Sequence, residues 1–135
     1  MSDVMTMQEP KEGTYYAYLD KYGALKVVDA VETAQEYAKL DGKVVEYEGF
    51  ATLGDLVVVG EDGIKYRVRI EPEYIDPKDG YVSPARAIFF PWNDKSPGSH
   101  SLTNASRGFK RQVIGIIKDF GEKGLDISKL SGIGL

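Results

Sequence analysis

The stretch Asp55–Ile70, DLVVVGEDGIKYRVRI, decides the fold. Its first part is apolar on both faces, as expected of a central strand covered on two sides. Glu61-Asp62-Gly63 then forms a turn. The second part alternates: Ile64, Tyr66, Val68 and Ile70 fall on one face, and Lys65, Arg67 and Arg69 on the other. A period of two marks a strand with one face toward a core. Two such runs joined by a short acidic turn pair antiparallel.

The hairpin needs neighbours on both sides. Upstream, KVVEYE (43–48) reads as another strand, with Val45 and Tyr47 on one face and Val44, Glu46 and Glu48 on the other. Before it, TYYAYL and ALKVV flank Asp20–Gly23, which carries turn chemistry with glycine at the end, so Thr14–Val28 is a hairpin. Between them DAVETAQEYAKLDG is a short helix. Thr33 and Glu36 have capping-box spacing, Ala30, Ala34, Tyr37 and Leu40 share a face, and Gly42 is a stop. Downstream, EPEYIDPKDGYVSP (71–84) reads as a long loop or a pair of turns, and ARAIFF as a sixth strand ended by Pro91.

Phe109, Val113, Ile116, Ile117 and Phe120 then recur at helical spacing. They predict an amphipathic helix of about four turns, capped by Asn104 or Ser106 and ended at Gly121 or Gly124. The expected order is ββαβββ–loop–βα. The fold class is α+β, a mostly antiparallel sheet of about six strands with the C-terminal helix on one face. A small bent β-barrel with helices is the alternative. Residues 1–13 are expected to be a flexible tail, 14–124 a single domain, and 125–135 an arm that packs extended or frays.

The chain of 135 residues has no cysteine and one histidine. Disulfides, thiolate zinc sites, cysteine nucleophiles and paired-imidazole metal sites are thereby excluded. No segment has the length of a membrane span and the first residues lack a signal-peptide core, so the cytoplasm is the default expectation. Charge is uneven: residues 1–85 carry 9 basic and 17 acidic side chains, and residues 86–135 carry 8 and 4. Internal attraction between the halves is the simplest account.

Four surfaces are candidates. Lys65, Arg67 and Arg69 leave one strand face about 7 Å apart, a spacing suited to a nucleic-acid backbone. Cross-strand pairing with Glu46 and Glu48 would account for the row equally well and is favoured. Arg107, Lys110 and Arg111 crowd a helix N-terminus whose dipole is already positive, which invites an anion, with Asn104 and nearby hydroxyls as further contacts. Tyr16, Tyr18 and Trp92 are a candidate partner surface. His100, with Asp94, Ser96, Ser99 and Ser101 in the 91–104 loop, is the only obvious base for a hydrolase-type reaction, but no nucleophile-elbow pattern accompanies it.

No catalytic residue, metal or cofactor is therefore assigned. The leading expectation is a non-catalytic module that engages a protein partner or itself, with no membrane involved. Nucleic-acid or phosphate binding comes second and an enzyme last. If the two basic rows converged on one surface, the nucleic-acid reading would rise above the first.

Overall fold

A computed structural model describes residues 9–94 and 98–133. Residues 1–8 of the expected tail, Ser96 of the candidate loop and the last two residues of the arm lie outside the described residues.

The chain is α+β. Strands β1 (Lys11–Leu19), β2 (Leu25–Val28), β3 (Val44–Thr52), β4 (Asp55–Val59), β5 (Lys65–Glu71), β8 (Arg86–Pro91) and β9 (His100–Ser101) form one sheet in the order β2-β1-β3-β4-β5-β8-β9. Every pairing is antiparallel. The sheet has two edges, β2 and β9, so the barrel alternative does not apply. The doubly apolar run is its middle strand, as its composition demanded. A separate two-stranded hairpin, β6 (Tyr74–Ile75) and β7 (Val82–Ser83), is inserted in the chain between β5 and β8, which pair directly with each other.

Helix α2 (Arg107–Glu122) covers one face of the sheet. Ser106 Oγ accepts the Phe109 N–H at its start. At its end the Leu125 N–H reaches the Phe120 carbonyl, the Gly124 N–H reaches that of Gly121, and Gly124 takes φ 113°. That pair of bonds is a Schellman closure, which needs a left-handed residue where only glycine is unstrained. Phe109, Val113, Ile117 and Phe120 are buried against Tyr47, Leu56, Val58, Val68 and Ile70.

Helix α1 (Val31–Tyr37) covers part of the opposite face. Ala34 and Ala38, with Tyr18, form a small second core flanked by Tyr16, Val28 and Val44.

Several details differ from expectation. Strand β1 begins at Lys11, because Lys11, Glu12 and Gly13 find partners in Ala51, Phe50 and Gly49. Thr33 lies inside α1 and caps nothing; Ala30 is the N-cap and offers no side-chain acceptor. Packing of two alanines, not capping, holds this helix. Tyr37 and Ile64 are exposed. The arm neither extends nor frays: Ile127–Ile133 winds as a 3-10 helix and buries Leu130 and Ile133.

Candidate interaction surface

The strand alternation puts the Lys65–Arg67–Arg69 row on the sheet face away from α2, since Tyr66, between them, packs edge-on against Phe109 of α2. This row is not an open basic stripe. Arg67 is only 7% exposed. Its Nε and Nη2 donate to Asp55 Oδ2 at 3.2 and 2.7 Å. Arg69 Nη2 reaches the same oxygen at 3.5 Å, and Asp55 is itself buried. Both guanidiniums lie over the Phe90 ring, with centroid distances of 5.0 and 5.5 Å. Lys65 pairs with Glu9 at 3.1 Å and lies over Phe50.

The row is thus paired within the chain, but not with Glu46 and Glu48. Those carboxylates are exposed two strands away, and Glu48 accepts the Thr14 hydroxyl. Asp55 opens β4 one position before the Leu56↔Val68 pair, which places it beside Arg69 on the neighbouring strand. The single acid at the head of an apolar run was the available signal. Its partner emerges only from the strand register.

The second basic cluster lies on the other side of the sheet. Arg107 and Arg111 are exposed, and Lys110 Nζ donates to the Thr103 carbonyl at 3.2 Å. Asn104 ends a 3-10 turn, Leu102–Asn104, and is exposed. A methyl group added at Gly108 would come 2.7 Å from Glu61 Oε2, so the Glu61 carboxylate rests against the first turn of α2. The helix dipole favours an anion there, and the chain supplies one itself. Beside it, a 280 Å³ recess includes Glu61 and Asp62, which is unfavourable for a phosphate. The Tyr66 hydroxyl donates to Asp62 Oδ2 at 2.7 Å. That bond holds the Asp62 carboxyl below its ordinary pKa and raises that of Tyr66. The two basic groups therefore do not converge.

The expected aromatic surface is also displaced. Tyr18 is buried and Tyr16 half-buried, both roofed by α1. Burial, with Asp20 and Tyr37 adding to it, raises the Tyr18 hydroxyl pKa. Trp92 is half-buried, and its backbone N–H donates to the Lys65 carbonyl as β8 ends. His100 is exposed on the short edge strand, its ring 5.6 Å from that of Phe89.

Besides Tyr37 on α1, three uncovered tyrosines gather elsewhere. Tyr22, Tyr74 and Tyr81 are 73%, 56% and 67% exposed, and Ile75 and Val82 are exposed as well. Tyr74 and Ile75 belong to β6, and Tyr81 and Val82 flank the return into β7. The signal was present in YIDPKDGYV (74–82): two aromatic–aliphatic pairs around a turn rich in Asp, Pro and Gly. The runs are too short for alternation to announce a hairpin.

The hairpin tip is closed by its own hydrogen bonds. Asp76 Oδ1 accepts the Lys78 N–H and Asp79 Oδ1 accepts the Tyr81 N–H, each at 2.8 Å. The Asp76 N–H donates to the Tyr81 carbonyl, and Gly80 adopts φ 74°. The β1–β2 turn braces its base. Gly23 has φ 88°, and a methyl group there would stand 3.4 Å from Pro72 Cβ. This close approach carries Tyr22 to the side of the hairpin.

Between the turn and the hairpin runs a groove of 740 Å³, lined by Tyr22, Tyr74, Tyr81, Pro72 and Pro84 among others. At the other end of β1 a 520 Å³ cavity is lined by Lys11, Tyr15, Asp29 and the Leu53–Gly54 turn, with charged groups of both signs in its wall.

Among the described residues no helix is long and apolar enough to cross a membrane, and no group of three or more His, Asp or Glu side chains is gathered as for a metal. Comparison with known proteins found no matching family model, no matching curated protein and no matching solved structure.

Proposed function

We propose that this chain is a non-catalytic interaction module that engages a protein partner through the β6–β7 hairpin and the adjoining β1–β2 turn. The observation that carries this is the exposure of Tyr74 and Tyr81, with Ile75 and Val82, on a hairpin braced by its own hydrogen bonds, and of Tyr22 on the turn beside it. Exposed apolar clusters on an ordered support mark interaction sites. Tyrosine provides large contact area at a small cost in side-chain entropy. The two basic groups support the same preference indirectly: in one, Arg67 and Arg69 share Asp55 and Lys65 pairs with Glu9, in the other the Glu61 carboxylate rests against the same first turn of α2, and the sheet separates the two.

A photo-crosslinking phenylalanine analogue at position 81 tests this in cells, with position 118 on the exposed side of α2 as control. The expected result is a discrete adduct with another protein from position 81, or from 75 or 82 on the same hairpin, and none from position 118. Once purified, that protein should bind the wild-type chain at least about tenfold more tightly than a Tyr74→Ser/Tyr81→Ser variant. An adduct with a second copy only, confirmed by sedimentation, would make the site a self-association surface. No adduct from positions 75, 81 or 82 would overturn the proposal.

A further inference from the structure

The hairpin has two unlike faces. In its register Tyr74 lies opposite Ser83, and Ile75 opposite Val82. Tyr81, two residues before Ser83, shares the side of Tyr74 and Ser83. Tyr74, Tyr81 and Ser83 line the groove toward Tyr22, whereas Ile75 and Val82 do not. One face is aliphatic, and the other presents rings that end in hydroxyls.

Resting on the interaction-module reading, we propose that the groove face takes an extended proline-rich segment carrying one basic residue. Three features support this occupant. First, three tyrosines and two prolines form an open trough, the kind of wall against which polyproline-II segments dock. Such segments are already extended before binding, so little ordering entropy is lost.

Second, hydrogen-bond chemistry matches. A proline-rich backbone has carbonyl acceptors but few N–H donors. The hydroxyls of Tyr22, Tyr74, Tyr81 and Ser83 can donate to it. Strand addition is less suited, because β6 and β7 are two residues long.

Third, charge is complementary. Glu71 and Glu73 line the groove against one cation, Arg86. Arg86 Nε donates to Glu71 Oε1 at 2.6 Å, which neutralises that pair. Glu73 is exposed and forms no ion pair among the described residues. It is positioned to receive a lysine or arginine of the ligand, and the net negative charge opposes a nucleic-acid backbone.

The test is an amide-resolved NMR titration of the intact chain with synthetic proline-rich peptides. One peptide carries a single arginine; a second has it replaced by glutamate; a third has its prolines replaced by alanine. A short oligothymidine is the fourth probe. The arginine peptide should produce saturable shifts centred on Tyr22, Tyr74, Tyr81 and Ser83. The glutamate peptide should bind about fivefold more weakly, and Glu73→Lys should reverse that preference. Tyr81→Ser should weaken the arginine peptide at least about tenfold, with the remaining spectrum unchanged.

Absence of groove shifts with the arginine peptide at millimolar concentration would overturn the proposal. So would equal binding of the alanine peptide, or binding of the oligothymidine in the groove. A protein adduct from position 75 or 82 would then leave the broader interaction reading standing on the aliphatic face. Loss of those adducts as well would remove both.

Discussion

The β4–β5–β8 patch and the β6–β7 hairpin depart in opposite directions from the usual division of polar outside and apolar inside. The first buries charge: Arg67 and Asp55 are 7% and 4% exposed, with Phe90 under the guanidinium. The second exposes aromatic rings on a braced tip. In the patch the buried charges, Arg67 and Asp55, already have each other as partners. In the hairpin the rings lack cover from the chain itself. A side chain in an unfavourable place points to a binding function only when the fold leaves it unsatisfied.

This contrast can be broken most strongly at Asp55. Asp55→Ala leaves Arg67 buried without its counterion, and should cost about 3–5 kcal/mol in urea unfolding. Asp55→Leu with Arg67→Met should recover most of that, since exchanging both partners for apolar groups is often neutral or stabilising. A loss below about 1 kcal/mol for the single change would show that the pair is solvated rather than internal.

Gly23→Ala comes next. It forces a left-handed φ on alanine, at about 1–2 kcal/mol, and pushes a methyl group toward Pro72. Thermal unfolding should detect the loss. Amide shifts at Tyr22, Tyr74 and Tyr81 should detect any displacement of the groove wall.

A smaller effect is expected at Asp62. Its carboxyl pKa is lowered chiefly by the Tyr66 hydroxyl and secondarily by the Ile64 N–H. A lowered folded-state value contributes stability that is complete above the ordinary pKa of 3.8 and is lost as pH falls through the folded value. Tyr66→Phe keeps the ring contacts with Phe89 and Phe109 but should move the Asp62 pKa upward, toward 3.8, in a carboxyl-carbon NMR titration.

The smallest change in stability belongs to the hairpin. Tyr74→Ser/Tyr81→Ser should alter unfolding free energy by no more than about 0.5 kcal/mol per site, even as partner binding falls. A large destabilisation would mean that these rings serve the core, and the contrast with the Asp55 patch would collapse.

Much of the architecture was legible from pattern. The doubly apolar DLVVV run is the middle strand, the alternating KYRVRI run is its neighbour, and the Phe109–Phe120 stripe is the helix on the sheet. Ser106 and Gly124 mark that helix's ends through chemistry confined to a few adjacent residues. The sites were less legible. Thr33 satisfied a capping pattern but lies inside α1, because tertiary packing of Ala34 and Ala38 decides where that helix sits. Tyr16 and Tyr18 have the composition of a partner surface and are roofed by the same helix. Tyr74 and Tyr81 lie in a segment with the composition of a loop.

The sequence by itself determined the fold class, the central strand, the long helix and the alternation that separates Tyr66 from Arg67, because these follow from periodicity and short-range backbone chemistry. Only the tertiary structure decided that Asp55 meets Arg67, that Glu61 reaches the start of α2, and that Tyr22 stands beside Tyr74 and Tyr81. Each of these joins residues from different elements. Strand register, helix docking and turn packing set the distances between them, and no local pattern encodes those distances.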